Sequence, residues 1–415
     1  MLQNTASVDE AVVRLLQLST RLLLEYNVRS NSLERGVERI ARHLGFNIQT
    51  VVGYREVALA VDDGRAFHVR APDLRINIAI NVATQRVIDE LCVDRIGVGE
   101  ATRRLEAVER VAPRHARPVV AVLFGLAASA IAWLLRADPG AIVVSGASST
   151  LGLIARQELA KRSVVLFAHP FAAGLIGAAL GGLAIRAGWT ATPGFCLIVP
   201  ALMVVPGPHL INGVYDMLEN HVQTGVCRLA LAAGIIIATA FGVAFGGWLT
   251  LGPTTLSTSP SDAIQLTLLL DVALAGAAAC GFGAVYNAPW RVLWVSIVCG
   301  VVGHGLRYVC LDHFSVAIST LFACLAIGLI ANAAAERLRL PFSAVAFAGA
   351  VPMMPGVFMY QSIAGALRLS AAGMAADPTL AAATLALSFQ AVFVVGAIAI
   401  GLLTGARLAT LIDGR

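Results

Sequence analysis

Five polar side chains recur along one stretch of an otherwise apolar region. His209, Asn212, Asp216, Glu219 and Gln223 follow a helix-breaking Pro206-Gly207-Pro208. At roughly 100° per residue, their spacing sets them within an arc of roughly 80° on one helix face. Leu210, Val214, Met217 and Leu218 fall on the other face. Pro208 has no N–H and Pro206-Gly207 interrupts the helical ladder, so carbonyls and amides are freed at the break. A helix restarting near Pro208 aims its first amides at that break, which suits a carboxylate. Asn212 can hydrogen-bond a hydroxyl or an ammonium. Asp216 can counter an ammonium or carry a proton, and His209 titrates in the useful pH range. The bland alternative is an amphipathic helix on the membrane surface, with Asp216, Glu219 and His221 solvated.

A second break, Pro355-Gly356, lies 149 residues further on and leads into Tyr360, Gln361 and Ser362. Nothing there matches His209 or Asp216. A phenol, an amide and a hydroxyl suit an uncharged polar group; equally, Tyr360 can anchor at an interface and Gln361 can satisfy a neighbouring helix. A broken helix in each half of a membrane protein is the best sequence pointer to a transport site. Asp271 is the least expected charge, because it lies inside an apolar run. It reads as a proton relay or counter-ion, or else as a carboxylate that reaches outer water or pairs with Arg307. The proton-coupling candidates are therefore Asp216, Asp271 and His209. Ser145, Ser148, Ser149 and Thr150 are better suited to bridging helices than to binding. Glu158, His169, His304 and Asn332 lie near span ends, where packing or interface roles suffice.

What positions these groups is a membrane protein. The chain has 415 residues, 58% hydrophobic and 13% charged, against roughly 25% charged for a soluble domain. The net charge of +5 is no nucleic-acid footprint, because the basic residues sit at segment ends. The seven cysteines show no C-x-x-C and no ligand spacing with histidine, so they read as packing residues. No metal or cofactor is expected. No cleavable leader is expected, since Met1–Ala6 is polar. Gly174–Gly182 lacks the strand and lysine of a P-loop, and no nucleophile–base pair is apparent; the expectation is a non-enzyme with no catalytic residues.

Residues 1–116 read as a small soluble α/β domain. Val8–Tyr26 has helical spacing, and Asn31-Ser32 caps a second helix running to His43 with Gly45 as its stop. Phe46–Val52, Val57–Val61 and Arg65–Arg70 read as strands, and Ile76–Leu91 and Gly99–Val111 as helices. Pro113–Pro118 is a basic linker. Apolar spans follow near 118–135, 141–157, 164–185, 191–212, 227–249, 265–286, 290–307, 314–335, 342–366 and 380–404. The second and seventh are short. Pro139 pairs with Pro289, Pro193 with Pro341, and Pro206-Gly207 with Pro355-Gly356, at offsets of 148 to 150. Five spans per copy is odd, so the second copy must be inverted. The expected fold is a polytopic α-helical membrane protein. About ten transmembrane helices form two inverted five-helix repeats, 117–252 and 265–415, joined by an outside loop at 253–264. Lys and Arg near span ends place both termini on the cytoplasmic side.

The residues Arg75-Ile76-Asn77, Gly99-Glu100-Ala101 with Arg104-Leu105, Pro206-Gly207 with Asn212-Gly213 and Asp216, Gly225 with Arg228, and Pro352–Ser362 together resemble the threonine/serine exporter family. The resemblance covers nearly the whole chain, and in some relatives the two halves are separate polypeptides. It implies efflux of threonine and serine across the bacterial inner membrane, driven by the proton motive force. Some split relatives are associated with dicarboxylate export instead. The partners implied are a small-molecule substrate, protons and the lipid bilayer; a homo-oligomer stays open. The rival classes are a non-transporting membrane sensor or scaffold and a passive channel.

Overall fold

The computed structural model describes residues 9–412 apart from 63, 73, 163–164, 253–264 and 339–341. The expected outer loop at 253–264 and Pro341 therefore lie outside the described residues.

The N-terminal region runs α1 (Glu10–Glu25), α2 (Ser30–His43), β1 (Ile48–Val52), β2 (Glu56–Val61), β3 (Ala66–Arg70), α3 (Ile78–Leu91) and α4 (Val98–Val111). The strands form an antiparallel meander, with Ile48 opposite Val61 and Val57 opposite Val69. Alternation turns Val57, Leu59 and Val61 inward, where they join Leu16, Leu33 and Ile40 in one apolar cluster. Helix α3 is capped by Asn77, whose side chain accepts from Ile80 N at 3.2 Å. The expected Asn31-Ser32 cap is not used. Helix α2 begins at Ser30, and Arg29 in the cap position makes no side-chain bond to it. The acceptor for Ser30 N is instead Asp216 Oδ1, at 3.1 Å, from a helix far along the chain. Gly45 closes α2 at φ +86° as expected.

The remainder is helical: α5 (Arg117–Leu134), α6 (Pro139–Leu159), α7 (Ala168–Arg186), α8 (Pro193–Leu202), α9 (Gly207–Leu218), α10 (Val222–Leu251), α11 (Leu268–Val285), α12 (Trp290–Cys310), α13 (Val316–Leu338), α14 (Phe342–Ala350), α15 (Gly356–Ala372) and α16 (Pro378–Ile412). Seven of the described helices are long and apolar enough to cross a bilayer, and the α8–α9 pair, bent by 58°, makes an eighth if it is one span. Their outward faces carry Leu126, Phe241, Phe245, Trp248, Phe389 and Phe393, all exposed. This is a multi-pass membrane protein. Helix α6 is outside that count although it has 21 residues; its serines, threonine and terminal charges dilute its hydropathy. Helices α6 and α12 both run longer than the spans expected at 141–157 and 290–307.

Equivalent contacts recur in the two halves. Gly242 and Gly246 of α10 lie so close to α7 that a Cβ would run into the carbonyls of Phe171 and Leu175. Gly401 and Gly405 of α16 meet the carbonyls of Leu321 and Leu325 on α13 in the same way. Ser145 of α6 donates to Phe195 O of α8, and Ser296 of α12 donates to Val345 O of α14, each at 3.5 Å. The halves meet where Gly281 of α11 packs on Leu123 and Ala127 of α5.

Among the described residues, the N-terminal region is fastened to the helices by Thr224, which donates to Val52 O at 3.2 Å, and at two further places. One is Asn287, in the turn between α11 and α12, with φ +55°. Its side chain donates to Asn77 Oδ1 at 3.1 Å and to Pro113 O at 2.7 Å. It accepts from His115 N at 3.0 Å. The other is the turn between α1 and α2, which lies against α9.

Candidate functional site

Both predicted helix breaks exist. Pro206 carries φ −80°, ψ 61° between α8 and α9, and Pro355 carries φ −80°, ψ 39° before α15. They are brought together. A Cβ on Gly207 would lie 2.7 Å from Phe347 Cζ, and one on Gly356 would lie 2.8 Å from Leu202 Cδ2. Each glycine thus permits close approach to the half-helix preceding the other break. A cavity of about 60 Å³ lies between them, walled by Leu202, Val205, Phe282, Tyr286 and Met354. Its lining side chains are apolar apart from Tyr286.

The polar groups gather further along α9. His209, Asn212 and Asp216 share one face as expected and are buried, which rules out the solvated surface helix. Met217 and Leu218 are the exposed residues at that end. The stripe does not continue. Helix α9 stops at Leu218, Asn220 takes a left-handed φ of +68°, and α10 starts at Val222. Glu219, at the cap of α9, still faces the turn between α1 and α2, 3.9 Å from Arg29, whereas Gln223, on α10, is exposed.

What faces α9 is the α1–α2 turn. Asn212 Nδ2 donates to Asn27 O at 2.9 Å, and Asp216 Oδ1 accepts from Ser30 N at 3.1 Å. Asp216 Oδ2 lies 2.7 Å from Arg228 Nη1, both side chains wholly buried. The pair is at ion-pair distance without hydrogen-bond alignment. Arg228 Nη2 donates to Val28 O at 3.0 Å. The Arg29 guanidinium covers the Tyr215 ring at 4.9 Å. At the rim, Glu34 lies 3.4 Å from His221; burial pushes the Glu34 carboxyl above its usual range, and His221 works against that.

The second break contributes less. Tyr360 is buried and its hydroxyl donates to Ala201 O in the last turn of α8, at 3.1 Å, so it is not an interfacial anchor. Ser362 Oγ turns back to Met359 O of its own helix at 3.2 Å. Gln361 is half-buried.

Asp271 is buried on α11, and its partner is His304 Nδ1 of α12 rather than outer water. Arg307 Nε donates instead to Thr320 Oγ1 at 3.2 Å. His304 is thus a residue that position near a span end did not reveal. A signal was present: in the α11–α12 hairpin Asp271 and His304 each lie fourteen residues from the helix end at the turn, which puts them at one depth. Arg228, one of the basic residues near the span ends, is fully buried.

Residues 14–249 match the family described as "Putative threonine/serine exporter". The chain belongs to the threonine/serine exporter family. Residues 271–406 match a second family description, "Threonine/Serine exporter, ThrE", so exporter matches fall in both halves. The chain is 25% identical over 247 residues to "Probable succinate transporter subunit YjjP" of Klebsiella aerogenes, covering 58% of this chain and 95% of that protein. It is 26% identical over 250 residues to the protein of the same name from Escherichia coli K12, covering 57% and 93%. No solved structure matches the chain.

Proposed function

We propose that this exporter family member is a secondary active exporter of threonine and serine, driven by proton antiport. The observation that carries the reading is the buried, oppositely charged Asp216–Arg228 pair beside Asn212, with Asp216 and Asn212 on the second half of a broken span. Buried charge in a membrane protein is unfavourable unless it is paired or hydrated, and where it is kept it marks a substrate or ion pathway by default. Pro206, Gly207, Pro355, Gly356 and Tyr360 supply the facing breaks around which the halves move, with Gln361 and Ser362 on the second half-helix. Asp216 counters the substrate ammonium. Asp271 is in contact with His304, a second titratable group, and is the better proton carrier. Asp216 already holds a fixed counter-charge, and His209 has no acidic partner among the described residues.

The same reading divides the chain into a cytoplasmic domain, 1–116, and two inverted five-helix repeats, 117–252 and 265–415. With α6 and the α14–α15 pair counted as spans, the total is ten. The recurring glycine and serine contacts support it. Both termini lie inside a bacterial cytoplasmic membrane, in keeping with the basic residues near span ends.

A second reading is export of a dicarboxylate. It draws on the name of the relatives, a probable succinate transporter subunit, and on the full burial of Arg228. It ranks second because Asp216 neutralises that arginine. Counterflow of labelled threonine, serine and succinate in proteoliposomes, with and without a pH gradient, decides. Saturable threonine or serine exchange accelerated by the gradient supports the first reading. Exchange of succinate alone replaces it with the second, and no flux of any of the three removes the exporter reading of this site.

A further inference from the structure

The α1–α2 turn places peptide groups where charged ones would fit better. Asn27 adopts φ +57° and gives its carbonyl to Asn212, the next carbonyl, Val28 O, goes to Arg228, and the amide of Ser30 goes to Asp216. The helix side of this contact therefore offers one anionic acceptor and two donors, one of them cationic. Beyond their contact with each other, the two charges are answered by neutral peptide dipoles. Several groups are left short: His209 Nδ1 and Arg228 Nε are buried with no hydrogen-bond partner among the described residues, and Asp216 Oδ2 and Arg228 Nη1 face each other poorly aligned. Buried polar atoms are rarely left so in a permanent contact, and a buried ion pair is weak as a device for mere stability.

A donor carrying positive charge beside oxygens carrying negative charge is the α-ammonium and α-carboxylate of an amino acid. We infer that Asp216, Asn212 and Arg228 form a receptor for that pair of groups, and that the Asn27–Ser30 turn fills it as a built-in competitor. The inference rests on the exporter reading above for the substrate class. Asp216 takes the ammonium, Arg228 and Asn212 take the carboxylate, and His209 Nδ1 accepts from the side-chain hydroxyl. That last contact favours threonine and serine over alanine, since an unpaired buried acceptor penalises the ligand lacking its partner. The turn has somewhere to go. A cavity of about 740 Å³ adjoins it, lined by Val28 and Arg29 of the turn, Asn81 and Gln85 of α3, and Glu336 and Phe342.

Glu34 and His221 face each other at the rim and belong to neither the receptor nor the turn's hydrogen bonds. In a Glu34→Cys/His221→Cys variant, oxidation should clamp the turn in place and lower threonine counterflow at least tenfold, with recovery on reduction; the single variants control for pairing with native thiols. Unchanged flux in the oxidised protein overturns the proposal. Arg29→Ala loosens the turn without touching the receptor, and should lower the KM for threonine severalfold while kcat holds; an unchanged or raised KM counts against it. A third readout needs no transport. In detergent, saturating threonine should slow disulfide formation in the double variant at least threefold, and succinate, lacking an ammonium, should not. A rate indifferent to threonine sinks the receptor even if the chain transports. Flux that fails while threonine still slows the disulfide sinks only the exporter reading.

Discussion

Asp216 and Arg228 stand on successive helices, separated by the left-handed Asn220, and meet at 2.7 Å with neither side chain exposed. Removing one partner strands the other charge, at a cost of about 3–5 kcal/mol, whereas replacing both with apolar groups is far milder. Arg228→Met should therefore unfold well below the wild type in a thermal melt of the purified protein. Asp216→Leu/Arg228→Met should recover most of that loss while showing no threonine counterflow. A single variant as stable as the double one would falsify the structural half of this account.

Asp271→Asn and His304→Gln should separate coupling from binding. Both variants should keep threonine counterflow at symmetrical pH, because neither residue contacts the α9 face. Both should lose acceleration by an imposed pH gradient. Gradient-driven flux at the wild-type rate in either variant removes that residue from proton transfer.

The glycines of the two breaks should be intolerant of a methyl group. Gly207→Ala and Gly356→Ala push a Cβ against Phe347 and Leu202, and overpacking of this kind costs about 1–3 kcal/mol. Gly396 in α16 has nothing within 4 Å of its would-be Cβ, so Gly396→Ala should stabilise by about 0.5–1 kcal/mol. Melting temperatures should fall for the first two variants and rise for the third.

Asp138 gives a pH signature. Its side chain accepts from Thr190 Oγ1 and Thr192 Oγ1 at 2.6 Å each, and caps α6 by accepting from Gly140 N at 3.1 Å. Burial alone would raise its carboxyl, but the hydroxyls and the Thr192 amide overcome that and hold it at about 2, below the ordinary 3.8. A depressed value in the fold contributes stability above 3.8, and that share is lost as pH falls through about 2. Asp138→Asn should lose about 1 kcal/mol at neutral pH and show a shallower fall in melting temperature between pH 4 and pH 2. An unchanged acid slope would mean that Asp138 does not anchor this loop.

Much of the architecture could be read from residue order. The apolar runs, the proline breaks and the three short strands rest on local periodicity and on residues without an N–H or a Cβ, so a single sequence shows them. Partners drawn from distant elements were hidden. Nothing near Ser30 says that its amide is capped by Asp216, and nothing near Arg228 distinguishes a loop cation from one facing a buried carboxylate. The helical face of His209, Asn212 and Asp216 was visible, but the end of α9 at Leu218 was not. It depends on Asn220 accepting a positive φ, a choice that a polar residue permits without announcing. Asp271 and His304 lay between these cases, since their shared depth follows from simple counting once the hairpin is granted.

The Asn287 fastening has a mechanical consequence. It grips the near end of the α11–α12 hairpin, and the Asp271–His304 pair sits near the far end, about 21 Å away along the helices. Two packed rods joined at a tight turn behave as a lever. A tilt of about 5° about the Asn287 end displaces the far end by about 2 Å over that length, enough to pull touching side chains apart. Torque applied where the N-terminal region holds Asn287 is thus delivered, amplified, to the one carboxylate–imidazole contact described among these helices.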